Sequence, residues 1–71
     1  MVKYHINLNL IRKKRIEHHY SQQYMADQLG IQTRTGYNFK EKGRREFTAV
    51  EIPVLANALN IPISQIFVKE Q

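Results

Sequence analysis

The clearest binding chemistry in the sequence lies in a short basic loop at residues 42–45. Lys42, Arg44 and Arg45 surround Gly43, so cationic side chains and backbone amides come together just before a helical segment. Cations and amides placed together in this way are suited to holding phosphate oxygens. The loop therefore predicts a contact with a phosphate-bearing polyanion.

The distribution of charge supports the same interpretation. The chain has 71 residues and a formal net charge of +5. Residues 1–46 contain ten basic and four acidic side chains, a net of +6, whereas residues 47–71 contain one basic and two acidic side chains, a net of −1. A positive charge of this size on so small a protein indicates a polyanionic binding partner, with nucleic acid favoured over an anionic membrane surface.

The sequence offers no residues for catalysis or metal binding. It has no nucleophile beside a base and no Gly-rich phosphate loop, and His5, His18 and His19 lack further ligands at a suitable spacing. Cysteine is absent, which fits a reducing compartment. We expect a protein that is not an enzyme, that uses no metal or cofactor, and that acts in the cytoplasm.

Five helices are predicted to position the basic loop, each bounded by residues that favour a helix start or stop. Their approximate ranges are 8–17, 22–29, 32 or 33 to 41, 48–60 and 64–67. Asn7 and Ser21 are the predicted N-caps of the first two helices, and Gly30 and Gly43 are predicted to end the second and third.

The last two helices carry less consistent signals. Thr48 and Glu51 have capping-box spacing, but Pro53 cannot donate a backbone hydrogen bond, so we expect the fourth helix to begin late or to bend in its first turn. Its predicted inward residues are Val50, Val54, Leu55, Ala58 and Leu59. Ser64 is the predicted cap of a final turn that buries Ile66 and Phe67.

The first residues show a different pattern from the rest of the chain. Apolar and polar residues alternate from Val2 to Ile6, which is typical of a strand. A strand needs a partner, and the two available partners are the apolar tail at residues 66–68 and a second copy of the chain. The alternative is a disordered arm. We therefore assign residues 1–7 to a short strand or arm and residues 68–71 to a C-terminal tail.

Residues 21–43 combine into a recognisable plan. A helix of eight residues, a turn that contains Gly30 and a second helix with a polar outer face make a helix-turn-helix. In this arrangement the start of the second helix can enter the major groove of DNA while the first helix lies across the backbone.

Three stretches of sequence together resemble the XRE-type (Cro/CI-like) helix-turn-helix family. They are residues 21–31 with Leu-Gly-Ile at the turn, residues 40–48 with Glu-x-Gly, and residues 55–67 with a closing Ile-Phe. The resemblance covers about residues 8–67. It implies an all-α, compact five-helix, lambda-repressor-like domain that binds double-stranded DNA, commonly as a dimer.

The resemblance also implies roles for individual residues. Gln22 matches a glutamine that hydrogen-bonds a DNA phosphate and can reach the outermost base, and Arg15 and Glu41 match a structural ion pair. The exposed start of the recognition helix supplies side chains that suit base edges, Arg for guanine and Asn or Gln for adenine. These candidates are Gln32, Thr33, Arg34, Thr35 and, one turn further on, Asn38.

The recognition helix departs from the family pattern by one residue. The spacing from Gly30 to Glu41 is one residue longer than usual. The inward apolar position falls on Gly36 when it is counted from the turn, and on Tyr37 when it is counted back from Glu41. We predict that Tyr37 points inward and that a longer turn around residues 32–35 absorbs the additional residue.

The resemblance and the charge pattern lead to one expected function and one alternative. We expect a sequence-specific repressor, encoded by a bacterium or phage, that binds a two-fold operator as a homodimer and has no membrane partner. The alternative is a protein-interaction module, such as an anti-repressor or a partner-binding domain, that kept the fold without reading an operator. The additional residue and Gly36 are the features that favour the alternative.

Overall fold

Five helices and one small sheet make up the fold in a computed structural model that describes residues 2–70. The helices are α1 (Leu8–Glu17), α2 (Gln22–Leu29), α3 (Arg34–Glu41), α4 (Glu51–Leu59) and α5 (Ile63–Ile66). Strands β1 (Tyr4–Ile6) and β2 (Phe67–Lys69) form the sheet. The predicted five-helix fold with a short N-terminal strand is confirmed.

The predicted caps hold the first two helices in place. The side-chain oxygen of Asn7 accepts a hydrogen bond from the Leu10 amide at 3.1 Å, and the hydroxyl of Ser21 accepts one from the Tyr24 amide at 2.9 Å. Gly30 ends α2 in the left-handed conformation, with φ of 72°. Both N-caps and this C-cap agree with the sequence predictions.

Helix α4 begins late, as Pro53 predicts. The capping box forms, because the Thr48 amide donates to Glu51 Oε1 at 2.8 Å and the Glu51 amide donates to Thr48 Oγ1 at 3.3 Å. Pro53 becomes the third residue of the helix, where the backbone nitrogen needs no intrahelical partner. The Thr48–Glu51 bonds thus close the turn that precedes the helix, and Val50 at the N-cap position has no side-chain cap.

The predicted inner face of α4 is wrong in part. Val50 precedes the helix and is 80% exposed, and Val54 is 39% exposed. The buried face instead contains Ile52, Leu55, Ala56 and Leu59. These residues have the i, i+3, i+4, i+7 spacing of one helical stripe, and Val54 lies outside that stripe.

The end of the chain also corrects the prediction for α5. Pro62, not Ser64, occupies the N-cap position, and no side chain caps the helix. Ile66 is buried as predicted, but Phe67 is 39% exposed. The backbone becomes extended at Phe67, which turns this side chain out of the helical packing and starts β2.

The two ends of the chain pair with each other. Strands β1 and β2 are antiparallel, with Tyr4 opposite Lys69 and Ile6 opposite Phe67. Just inside the sheet, the Asn7 amide donates to the Ile66 carbonyl at 2.7 Å. The alternating pattern thus marks a strand that pairs with the apolar tail, and not a disordered arm. Met1 and Gln71, the outermost residues of the predicted arm and tail, lie outside the described residues.

The core lies where α1, α2, α3, α4 and α5 meet. Its fully buried side chains are mainly aliphatic, with one tyrosine from the recognition helix. They include Ile11, Met25, Tyr37, Leu55, Leu59 and Ile66. The core thus fixes α3 through Tyr37.

Candidate nucleic-acid interface

The turn between α2 and α3 accommodates the additional residue. The Ile31 amide donates to the Ala26 carbonyl at 2.9 Å, and Thr33 is the N-cap of α3, where its hydroxyl accepts from the Gly36 amide at 3.0 Å. With α3 starting at Arg34, Tyr37 points into the core and is 0% exposed. The prediction that Tyr37 is the inward residue is confirmed.

Gly36 lies in the first turn of α3 at a point of close approach. A Cβ atom at this position would lie 3.0 Å from Ile31 Cγ2 and 3.2 Å from Thr33 Oγ1. The absence of a side chain lets Ile31 and the Thr33 cap close against the helix. Gly36 and the additional residue are therefore explained by the longer turn, and neither distorts the recognition helix.

The predicted base-reading residues lie together at the start of α3. Gln32, Thr33, Arg34 and Thr35 are consecutive and exposed, and Asn38 follows one turn later at a half-buried position. None of residues 2–70 forms an ion pair with Arg34. The hydroxyl oxygen of Thr33 is engaged in the cap, so its O–H is the group that remains for a ligand.

Gln22 connects α2 to the recognition helix. Its Nε2 donates to Glu41 Oε1 at 3.3 Å, and its Oε1 accepts from Asn38 Nδ2 at 3.2 Å. Gln22 is half-buried, at the boundary between the polar network under α3 and the exposed face. The structure therefore brings together Gln22 and Asn38, two residues that the sequence predicts as separate DNA contacts.

Arg15 and Glu41 form a two-point ion pair beneath Gln22. Arg15 Nε donates to Glu41 Oε2 at 2.8 Å and Nη2 donates to Oε1 at 3.1 Å, while Nη1 donates to the Tyr20 carbonyl at 3.0 Å. The side chain of Glu41 is 3% exposed and that of Arg15 is 13% exposed. Such a paired, shielded arginine ties α1 to the end of α3 and is not available to a DNA phosphate.

The surroundings of this ion pair keep both of its members charged. Burial raises the pKa of Glu41, but hydrogen bonds from Arg15 and Tyr37 outweigh it, so that the net pKa lies below its ordinary value. The hydrogen bond to Glu41 raises the pKa of Arg15 against the opposing effect of burial. Burial, followed by the bond to Glu41, raises the pKa of Tyr37, which therefore keeps its proton and donates it.

The basic loop presents cationic side chains but not free amides. Lys42, Arg44 and Arg45 are exposed and unpaired among residues 2–70. The amides of Arg44 and Arg45 donate to the Phe39 carbonyl at 2.8 and 3.2 Å, and those of Lys42 and Gly43 donate to Asn38 and Lys40. The expectation that amides and cations act together at this loop is wrong, because the backbone is used to close α3.

Phe39 supports the two arginines of this loop. The guanidinium carbons of Arg45 and Arg44 lie 5.4 and 6.0 Å from the centre of its ring. At this distance the face of the ring attracts the cations and limits their movement. The arginines are thus held near the C-terminal end of α3, while Arg34 lies near its start.

An ion pair between Lys40 and Glu51 was missed by the sequence reasoning. Lys40 Nζ lies 2.6 Å from Glu51 Oε1 and 2.7 Å from Oε2, and it ties α3 to the start of α4. The Thr48-x-x-Glu51 spacing identifies Glu51 as a capping residue, but no local signal indicates a partner eleven positions away. Lys40 is therefore a structural cation inside a basic segment.

Comparisons with known proteins identify the architecture of this interface. A family model described as helix-turn-helix matches residues 11–66, a range that contains α2 to α5 and most of α1. No curated protein and no solved structure matches the chain. Within residues 2–70 no helix has the length and apolar character to span a membrane, and no cluster of three or more potential metal ligands occurs.

Proposed function

The chain belongs to the XRE-type helix-turn-helix family of DNA-binding regulators, and from this premise we propose a transcriptional repressor that binds a two-fold operator as a homodimer. The observation that carries the proposal is the exposed strip at residues 32–35, where Arg34 has no carboxylate partner among residues 2–70. A free arginine at the start of a recognition helix is suited to the edge of guanine in the major groove.

Two sets of side chains would share the work of binding. Gln32, Thr33, Arg34, Thr35 and Asn38 would face the base edges. Gln22, Lys42, Arg44 and Arg45 would hold phosphates on either side and set the position of α3 in the groove. The cations of the second set would displace counterions from DNA, so the affinity would fall as salt is added.

The geometry of a two-fold site favours a homodimer. The family model matches one helix-turn-helix, over residues 11–66, and one such unit covers one half-site. Two copies related by a two-fold axis would read two half-sites about one helical turn apart. Occupation of such a site near a promoter is sufficient to repress transcription, and it would take place in the cytoplasm of a bacterium or a phage-infected cell.

Selection of bound sequences from a random pool of duplex DNA tests the proposal. The expected result is an enriched, inverted-repeat sequence whose half-sites are about one helical turn apart. A gel shift at moderate salt should then show a complex that resists competition by unrelated DNA. Enrichment of no sequence, together with weak binding that competitor DNA abolishes, would overturn operator reading and favour the protein-interaction module.

A further inference from the structure

We propose that the buried carboxylate of Glu41 orients two side-chain amides in succession, those of Gln22 and Asn38, and so presets Asn38 to read adenine. Gln22 is in this view a positioning residue for base reading, in addition to any phosphate that it holds. The inference rests on the proposed function, because it concerns which base the recognition helix selects.

The orientation begins at the carboxylate. Glu41 already accepts from Arg15 and from Tyr37, whose hydroxyl lies 2.7 Å from Oε2. An ionised carboxylate has acceptors and no donor. The group of Gln22 that lies 3.3 Å from Glu41 Oε1 must therefore be the Nε2 amine and not the carbonyl oxygen.

The constraint then passes to Asn38. With its Nε2 turned toward Glu41, Gln22 presents its carbonyl oxygen to Asn38 at 3.2 Å. A carbonyl oxygen can only accept, so Asn38 must turn its Nδ2 toward Gln22. Reversing either amide would set two oxygen acceptors against each other at a half-buried site, which loses the hydrogen bond and replaces it with a repulsive contact.

The position of Asn38 makes its orientation relevant to DNA. Asn38 lies four residues after Arg34 and three after Thr35, so it continues the exposed side of the first turn of α3. Its Oδ1 and its second N–H have no hydrogen-bond partner among residues 2–70. One acceptor and one donor on a single amide match the N6 amine and N7 of adenine in the major groove.

Gln22 is left with a different capacity. Its carbonyl oxygen already accepts from Asn38 and one N–H already donates to Glu41. The group that remains for DNA is the second N–H, which is a donor. A lone donor on α2 is suited to a phosphate oxygen and carries no base information. The two amides are therefore assigned distinct tasks by the same carboxylate.

The base preference of the Gln22→Met variant distinguishes a positioning role of Gln22 from a role in phosphate binding alone. The Asn38→Ala variant first locates the base pair that Asn38 reads, as the pair at which preference disappears. At that pair the wild type should prefer A·T by roughly fivefold or more, the least that a good bidentate contact gives. Gln22→Met should lower this preference severalfold, beyond any uniform loss of affinity from the lost phosphate contact.

A matched control is available on the same helix. Gln23 is exposed and donates to Asp27 at 3.0 Å, away from the recognition helix, so Gln23→Met should leave the preference unchanged. Equal losses on all four base pairs in Gln22→Met would overturn the positioning role while the proposed function stands. A preference in the wild type for a pair other than A·T would overturn the adenine assignment.

Amide proton exchange measured by NMR on the free protein tests the orientation without DNA. One of the two Asn38 side-chain N–H protons should exchange more slowly than the other, and Gln22→Met should remove this difference. Equal exchange of the two protons in the wild type would overturn the orientation itself. If the random pool yields no selected sequence, the proposed function and the adenine reading both fail, and the exchange data alone decide whether the amides are oriented.

Discussion

The Tyr37 hydroxyl and the Glu41 carboxylate form a short hydrogen bond of 2.7 Å inside the core, one helical turn apart on the inner side of α3. The oxygen that accepts this bond also accepts from Arg15 at 2.8 Å. The inward position of the recognition helix is thus filled by a ring that packs in the core and by a hydroxyl that completes the ion pair. An aliphatic residue could supply only the packing.

Tyr37→Phe should remove this hydrogen bond and keep the ring. A bond to a charged acceptor contributes about 1.5–3 kcal/mol, so the free energy of unfolding should fall by about that amount in urea titrations. Tyr4→Phe is the matched control, because Tyr4 is 62% exposed and lies in β1, away from the core. That control should stay within about 0.5 kcal/mol of the wild type. Equal losses in both variants would contradict the role assigned to the Tyr37 hydroxyl.

Acid should destabilise the fold through two carboxylates. For Glu41 and for Glu51, burial raises the pKa, but hydrogen bonds from Arg15 and Lys40 respectively outweigh it, and both net pKa values are lowered on folding. As the pH falls, the unfolded chain takes up protons first, near its carboxyl pKa of about 4.3. The stabilisation is therefore complete above that pH and is lost as the pH falls through the lowered folded values.

Urea titrations between pH 7 and pH 3 measure this dependence. Glu51→Gln should reduce the dependence of stability on pH below about 4.3, because one of the two shifted carboxylates is gone. A free energy of unfolding that stays constant from pH 5 to pH 3 in the wild type would show that neither carboxylate is stabilised by its partners.

Local signals predicted most of the framework that positions the site. Asn7, Ser21 and Gly30 have clear capping roles that depend only on neighbouring residues, and all three agree with the structure. Counting back from Glu41 also identified Tyr37 as the inward residue of α3. These features could be predicted because a cap or a helical repeat involves residues no more than a few positions apart.

The features that could not be predicted depend on contacts between distant residues or on small differences in where a helix begins. Helix α4 starts three residues after Thr48, which leaves Val50 before the helix, and the core selects the stripe from Ile52 to Leu59, which excludes Val54. The Lys40–Glu51 pair joins two helices and has no local pattern. The backbone amides of the basic loop donate hydrogen bonds within the turns that end α3, and this backbone geometry cannot be deduced from composition.

Gly43→Ala should destabilise the fold more than Gly30→Ala. Both glycines have positive φ, 82° and 72°, so alanine at either position costs about 1–2 kcal/mol in backbone strain. At Gly43 the new Cβ would also lie 3.0 Å from Leu8 Cδ1, whereas at Gly30 nothing lies within 4 Å. Thermal unfolding of the two variants should therefore show the larger loss for Gly43→Ala. Identical losses would mean that Leu8 moves aside without cost.

Arg34 and Arg44 should differ in what their removal does to DNA binding. Arg34 lies at the exposed start of α3 and Arg44 lies beside Phe39 at the far end. Arg34→Ala should relax base preference at one pair of each half-site, by about 1–3 kcal/mol of lost discrimination. Arg44→Ala should weaken binding to all duplexes alike and lower the salt dependence of binding by about one counterion.

Lys14→Ala is the control for charge. Lys14 is already paired with Glu17 at 3.4 Å, so its removal should change neither base preference nor salt dependence. Titrations of matched and substituted operators at several salt concentrations measure both effects, and losses from Arg34→Ala that are the same on every sequence would exclude base reading by this residue.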